Sequence, residues 1–288
     1  MLRRLLSSLL LLAAPLAPLA AQGFYAGAQF GYGIATTNDV FTNTDEERNA
    51  TGQTISRKNI YGTVGGGFTA QANVGYFVNP HLRFDLGFYY LLGKESLNRR
   101  LVTPTETYTG HVSTQQMRLT PSIVVQTGHG KVQPYARFGI VVPVGGKTTS
   151  TERYEHATNG DNSIKVTEIR GAFSLGFESG AGIAYNATDN LSITAEVVYT
   201  GLRIKSATAE VVEWETNFGG VSNNEIEDAD VIAIQTTFVD ALTNESNNLF
   251  VNSTGTINND APFEELARRV NFSAVALRVG AIYRFGSE

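Results

Sequence analysis

The chain contains no cysteine and has few charged residues, 17% of its 288 positions against a usual share of about 25%. The absence of cysteine excludes disulfides, thiolate zinc sites and thiol nucleophiles. Lysine and arginine number 22 against 27 acidic residues, a net charge of −5, which argues against a protein that binds nucleic acid by neutralising phosphates. Beyond residue 21 no apolar run approaches the ~20 residues of a membrane-spanning helix. Helical membrane proteins are therefore excluded, whereas membrane proteins built of strands are not.

The first residues have the layout of a secretory signal peptide. Arg3 and Arg4 supply positive charge, a run rich in leucine and alanine follows, and two alanines end the segment. Prolines within the run disfavour a buried helix. We predict a signal peptide over 1–21 and a single mature domain over 22–288.

Eight stretches of the mature chain alternate between apolar and polar or small residues, which is typical of strands with one apolar face. Their apolar faces carry no charge and a single serine or threonine, Ser179. The stretches are 24–34, 64–76, 82–92, 117–125, 134–144, 173–185, 191–199 and 275–285.

The connections between these stretches also alternate in length, which predicts an up-and-down antiparallel meander with tight turns at one end and long loops at the other. The short links are 78–81, 127–131 and 186–190, and the long ones are about 35–63, 94–114, 147–168 and 203–270.

The face opposite the apolar one is rich in glycine, serine and threonine, and this decides which face points inward. The interior of an eight-stranded barrel is just wide enough for packed side chains, so the small residues fit inside and the bulky ones face lipid. Only a closed barrel satisfies every backbone group of strands in hydrocarbon. The rival is a lipocalin-like soluble barrel with its apolar face inward. The predicted fold class is all-β, an eight-stranded transmembrane barrel.

Aromatic residues of the apolar face concentrate near the two ends of the strands, as expected for the girdles at the two membrane interfaces. Phe24, Tyr76, Phe84, Tyr185, Tyr283 and Phe285 lie near the short turns, and Tyr32, Phe88, Tyr90 and Tyr199 lie near the long loops.

A few charged residues fall on the inward face and predict a polar network in the lumen: Arg83, Asp85, Arg118, Arg137, Glu178, Glu196 and Arg278. At about 3.3 Å per residue and a tilt near 40°, all but the first two fall in one layer, roughly 15–20 Å above the short turns. Enclosed charges need partners. We predict that these groups pair and block the lumen; a gated conduit in which the pairs exchange is the alternative.

The last long loop is strongly acidic, with twelve acidic and two basic residues between positions 206 and 270. We predict two short helices in it, one after Asp230 with a stripe of Val231, Ile234, Phe238, Ala241 and Leu242, and one from Asp260 through Arg269. They would form a cap over the barrel mouth and a surface for a ligand at residues 206–269.

The sequence offers no catalytic, cofactor or metal site. The four histidines are scattered, without the spacing of a metal pair. The cluster Glu225, Glu227, Asp228 and Asp230 has the oxygen ligands that calcium prefers, but a hydrated acidic run is the commoner explanation.

The signal peptide, the eight strands, the three tight turns and the closing segment LRVGAIYRF (277–285) resemble the OmpA/OmpX-like outer-membrane β-barrels of Gram-negative bacteria. The resemblance implies a monomer in the outer membrane, surrounded by lipid and lipopolysaccharide and inserted by the barrel-assembly machinery. It also implies a non-catalytic structural or surface-interaction role. A small-solute channel and a lipid A-modifying enzyme are the alternatives.

Overall fold

The computed structural model describes residues 23–36, 40–127, 129–252 and 257–286. The predicted signal peptide, 1–21, lies outside the described residues. The strands are β1 Phe24–Ala35, β2 Val40–Arg48, β3 Thr54–Tyr61, β4 Gly67–Asn79, β5 Leu82–Gly93, β6 Ser96–Val102, β7 Glu106–Gln126, β8 Val132–His156, β9 Asn162–Gly171, β10 Gly176–Asn186, β11 Leu191–Gly201, β12 Arg203–Phe218, β13 Val221–Asn224, β14 Gln235–Val239, β15 Phe263–Leu266, β16 Arg269–Asn271 and β17 Ala274–Arg284.

Eight strands close into an antiparallel barrel in the order β1, β4, β5, β7, β8, β10, β11 and β17, and β17 pairs back with β1. Closure gives each of the eight strands a partner strand on both sides, so the barrel has no edge strand. The predicted eight-stranded up-and-down barrel is therefore confirmed. The predicted strand 173–185 begins only at Gly176. Residues 173–175 are not paired with β8, whose pairing with this strand starts at Gly176 opposite Val141.

The strands alternate between buried polar and exposed apolar side chains. Along β5, Arg83 and Asp85 are buried, whereas Phe84 and Leu86 are exposed. The large apolar side chains thus cover the outside of the barrel. The soluble barrel with an apolar interior is wrong for this chain, since its bulky face is the outer one.

Most of the predicted long loops are β-structure that continues above the barrel. β7 has 21 residues and β8 has 25, and their distal halves pair with each other and with β6 and β9. β12 is a separate strand that begins shortly after β11 ends and pairs with β9 and β14. β2 of the β2–β3 hairpin pairs in parallel with β6. We call these distal strands the extracellular sheet. It consists of β2, β3, β6, β9, β12 to β15 and the upper halves of β7 and β8.

The prediction of two helices in the last loop is largely wrong. The first shrinks to one turn, α1 Val231–Ile234, and the chain then enters β14. The second is replaced by β15, which pairs in parallel with β14. β-branched residues such as Thr236 and Thr237 favour extended backbone, and β12 offers β14 a neighbouring strand. Among the described residues no helix is long and apolar enough to cross a membrane.

Candidate functional site

Four charged side chains bind one another in the middle of the barrel. Arg137 lies 2.9 Å from Glu178 and 2.8 Å from Glu196, and Arg278 lies 2.7 Å from Glu178 and 3.5 Å from Glu196. They project from β8, β10, β11 and β17, and every side chain is at most 3% exposed. Each carboxylate thus contacts both guanidinium groups, which offsets the cost of burying charge. We call these four residues the ion network.

Neutral side chains add hydrogen bonds to the ion network. The Tyr135 hydroxyl donates to Glu196 Oε2 at 3.0 Å, and Arg278 Nη1 donates to Gln71 Oε1 at 3.1 Å. Thr200 Oγ1 lies 3.4 Å from Glu178 Oε2 and donates to it. Carboxylates that accept this many hydrogen bonds are held in fixed positions, so the network cross-links the strands on both sides of the barrel.

Arg118, which the sequence places in the same layer, is bound differently. Its Nε donates to Gln116, and its guanidinium lies 5.0 Å from the centre of the Tyr89 ring. Tyr89 is the cross-strand partner of Arg118, and Arg278 contacts the same ring at 4.9 Å. The prediction that the enclosed charges pair with one another does not hold for Arg118, which has a cation–π contact with Tyr89 instead.

Arg83 and Asp85 form a separate layer nearer the short turns. Arg83 Nε lies 3.5 Å from Asp85 Oδ1, and Arg83 Nη1 donates to Gln126 at 3.3 Å. The Arg83 guanidinium lies 5.3 Å from the ring centres of both Tyr25 and Tyr135. Tyr135 therefore links this layer to the ion network, because its ring contacts Arg83 and its hydroxyl binds Glu196.

A third layer, towards the extracellular sheet, is apolar. It is a cluster of buried side chains that we call the apolar layer: Val64, Val112, Val141, Leu202, Ile204 and Phe272. The lumen therefore changes from charged to apolar as it approaches the extracellular side.

The aromatic residues of the lumen were not among the predicted site residues. Tyr25, Tyr89 and Tyr135 are each at most 5% exposed and contact the arginines. The alternation does contain the signal, since Tyr89 lies between the outward Phe88 and Tyr90. An aromatic residue on a face of glycines and arginines indicates a stacking partner for a guanidinium.

The predicted interface aromatics lie on the outer face and form edge contacts typical of aromatic pairs. Phe24 and Tyr76 have ring centres 5.0 Å apart, and Tyr283 and Phe285 lie 5.3 Å apart. On the other side, Tyr32 packs against Phe68 at 5.1 Å and Tyr199 against Phe177 at 5.7 Å. Tyr185 and Phe84 face outward near the short turns, Tyr90 lies next to Met117, and Phe88 lies lower, between Ala72 and Leu119.

The extracellular sheet has its own polar contacts. The Lys165 ammonium lies 4.0 Å from the Trp214 ring centre, and burial lowers the pKa of Lys165. A hydrogen bond from Arg48 at 2.6 Å, and another from Thr54, hold the pKa of Glu46 below its usual value. These contacts fix the β2–β3 hairpin and the β9–β12 pair.

Two members of the acidic cluster considered for calcium accept hydrogen bonds from neighbouring side chains. Glu225 accepts one from Thr216 at 2.5 Å, and Glu227 accepts one from Asn224 at 3.1 Å. Within the described ranges, no group of three or more histidine or acidic side chains is placed to hold a metal ion.

A closed eight-stranded barrel with an apolar outer belt and a charged, buried interior defines an integral outer-membrane protein. The chain belongs to the family of the outer membrane protein β-barrel domain, whose sequence profile matches residues 6–227. The protein therefore resides in the outer membrane of a Gram-negative bacterium.

The chain is also similar to two solved structures. One is Neisserial surface protein A, with 14% identity, 92% of this chain and 98% of that chain covered and a TM-score of 0.36. The other is a major outer membrane protein from Thermus thermophilus, with 12% identity, 91% and 99% covered and a TM-score of 0.38. No curated protein sequence matches the chain.

Proposed function

We propose that the protein is a non-catalytic surface protein, in which a sealed barrel anchors the extracellular sheet and that sheet binds a ligand through residues 206–269. The observation that carries this proposal is the burial of the ion network. A water-filled pore would expose the charges that line it, yet these four side chains are 1–3% exposed.

The layers above and below support a sealed lumen. Arg83 and Asp85 are buried beneath the ion network, and the apolar layer lies above it. Opening a path through all three layers would separate buried ion pairs and expose apolar side chains, which is costly in free energy. This favours the structural role over the small-solute channel.

The extracellular sheet supports the surface role. Two of its strands, β7 and β8, are continuous with barrel strands, and β12 pairs with β9, which pairs with β8, so a bound ligand would meet a rigid platform rather than flexible loops. Glu210, Glu213 and Glu215 lie exposed on β12, within a segment whose twelve acidic residues outnumber two basic ones. This charge favours a cationic ligand.

Lipid modification has weaker support. Ser179 is the single serine or threonine on the predicted outer faces, and its cross-strand neighbours are Phe138 and Tyr199. A serine nucleophile needs a base within hydrogen-bond reach, and neither neighbour supplies one. We therefore propose no catalytic role for Ser179, and unchanged lipid A in cells that express the protein would agree with this.

Planar-bilayer conductance tests the sealed barrel. We expect no stable openings from the wild-type protein. Stable openings whose conductance changes in Glu178→Gln, but not in Glu95→Gln on the exposed surface, would establish a channel and overturn the proposal.

Binding to cationic surfaces tests the role of residues 206–269. The protein in lipid nanodiscs is presented to polylysine-coated beads as a simple cationic probe. We expect retention that falls in the triple variant E210Q/E213Q/E215Q and persists in the matched triple variant E47Q/E95Q/E155Q, which removes the same charge elsewhere on the exposed surface. Equal losses in both variants would show a general charge effect and contradict a specific surface.

A further inference from the structure

The wall of the barrel opens between β8 and the chain that joins β9 to β10. β8 pairs with β10 up to Val141 opposite Gly176, and with β9 from Thr148 opposite Ile169. Both pairs belong to one antiparallel register, since seven residues separate them on each strand. Between them, 142–147 and 170–175 form no ladder with each other. β8 and the β9–β10 segment thus lose their pairing over six residues each and resume it in the same register. This leaves a gap in the sheet with paired strands on either side of it.

The opposite sides of both segments remain bonded, so the gap is local. Residues 145–147 still pair with β7, and Gly171 still pairs with Ser206 on β12. Ala172 N donates to Lys205 O at 2.7 Å. Unpaired backbone next to lipid is costly and is tolerated where it lines a cavity.

A cavity of about 300 Å³ lies at this gap, a volume at the lower end of those that hold small ligands. Its walls include Ile204 and Phe272 of the apolar layer, together with Val144 and Phe173. Val144 and Phe173 are 51% and 76% exposed on the outside of the barrel. The cavity therefore connects the apolar interior with the outer surface.

The height of the gap places it at the outer edge of the membrane. Val141 lies eight residues above Gln133 on β8, about 20 Å along the membrane normal at the usual rise and tilt. The apolar belt of such barrels is about 25 Å tall. The gap thus begins within the outer leaflet and reaches its headgroup region, immediately above the ion network.

The charged side chains in the lining of the cavity are basic. Its charged lining residues are two lysines, Lys147 and Lys205. Each contacts an acid outside the cavity, Lys147 with Glu168 and Lys205 with Asp240. Asp240 is 83% exposed, and an exposed pair of this kind exchanges partners at little cost. Lys205 can therefore bind an anionic headgroup, and Lys147, which is 35% exposed, lines the same cavity.

We propose that this gap is a lateral binding site for a single-chain anionic amphiphile of the fatty-acid class. The acyl chain enters from the outer leaflet between Val144 and Phe173 and packs against Ile204 and Phe272, while Lys147 and Lys205 bind the carboxylate. The small volume favours one chain over the several chains of a membrane lipid. The cavity shares Ser206 with the segment 206–269, but its tests do not change Glu210, Glu213 or Glu215, so either proposal can fail alone.

The test measures binding of a fluorescent fatty acid, dansyl-undecanoate, to the protein in nanodiscs of neutral phospholipid. We expect a saturable rise in dansyl emission, and we expect palmitate to reverse it by displacing the probe. Hexadecanol has the same chain length but no charge for the lysines to bind, so it should displace the probe about tenfold more weakly. Displacement by lipopolysaccharide or phosphatidylglycerol but not by palmitate would overturn the single-chain assignment, as would the absence of saturable binding.

Filling the gap tests its location. Gly145 lines the cavity, and a Cβ on it would meet nothing within 4 Å, so Gly145→Phe should fill the gap and abolish saturable binding. Ile34→Phe, on the outer face of β1 across the barrel, is the control and should bind as wild type. Should Gly145→Phe fail to fold, Gly145→Cys can be folded first and then blocked with a bulky maleimide, because the chain has no other cysteine. Unaltered binding in the filled protein would refute the site.

Neutralising the lysines tests the headgroup contact. In the double variant K147Q/K205Q we expect palmitate to bind about tenfold more weakly and hexadecanol to bind as before. Lys131→Gln, at a short turn on the other side of the membrane, should change neither. Equal loss for palmitate and hexadecanol would show that the lysines only support the fold and would overturn their assigned role.

Discussion

Removing Arg278 from the ion network should strongly destabilise the barrel. Its side chain is 1% exposed and contacts Glu178 at 2.7 and 3.1 Å, Glu196 at 3.5 Å and Gln71 at 3.1 Å. Arg278→Met keeps the apolar stem but leaves the two glutamates to share Arg137. Breaking a buried ion pair by removing one partner costs about 3–5 kcal/mol, and we expect a loss of that size in the free energy of unfolding.

The control is the same substitution at an arginine that is itself exposed. Arg170 is 65% exposed and lies 3.9 Å from Glu168, so Arg170→Met should cost about 0–1 kcal/mol. The measurement is reversible urea unfolding in lipid vesicles, followed by far-ultraviolet circular dichroism. If the two variants lost equal stability, the reasoning about enclosed charge would be refuted.

A double variant separates the pairwise interaction from the cost of an orphaned charge. R278M/E178Q removes both partners, so its loss should be smaller than the sum of the two single losses by about 0.5–3 kcal/mol. Additive losses would show that Arg278 and Glu178 act independently.

Three further predictions concern other parts of the molecule. The pKa of Glu46 is lowered, so its contribution to the stability of the β2–β3 hairpin is full above the unfolded pKa of about 4.3 and is lost as the pH falls through the lower folded pKa. Hydrogen exchange of the hairpin should speed up at that pH in the wild type. The Glu46→Gln variant should show no such step. Ser206 N donates to Arg268 O at 2.8 Å, so the two ends of the segment 207–267 lie close together. Replacing that segment with a short glycine–serine turn should therefore leave a folded barrel, seen as heat-modifiable migration on gels. An unfolded product would show that the extracellular sheet is needed for closure. Gly280→Ala should impair folding, because the new Cβ would lie 2.1 Å from Ala28 O across the β1–β17 ladder that closes the barrel. The control is Gly145→Ala, whose Cβ would meet nothing within 4 Å. It should fold as wild type in the same gel assay.

Local alternation carried most of the information about the barrel. The period of two assigns Phe84 to the outside and Arg83 and Asp85 to the inside without any knowledge of neighbouring strands. The narrow interior of an eight-stranded barrel then decides which face holds the small residues. Because both properties follow from chain geometry, strand number, facing and the set of enclosed charges could be predicted from the sequence.

The structure of the long connections could not be read in this way. Residues 263–266 have a proline and several acids near them that suit a helix start, yet they form β15, because β14 lies beside them and offers pairing partners. Secondary structure in such segments depends on contacts that are distant in sequence, and these override local propensity.

What the sequence by itself determined is the eight-stranded barrel with its apolar outside and charged inside, since side-chain direction along a strand repeats every two residues. The tertiary structure decided which charged groups meet. Arg118 contacts Tyr89 rather than a glutamate because the register of β5 against β7 places that ring opposite it. The structure also decided the gap beside Val144, because whether two strands stay paired depends on how each bends against its other neighbour, and alternation carries no information about that.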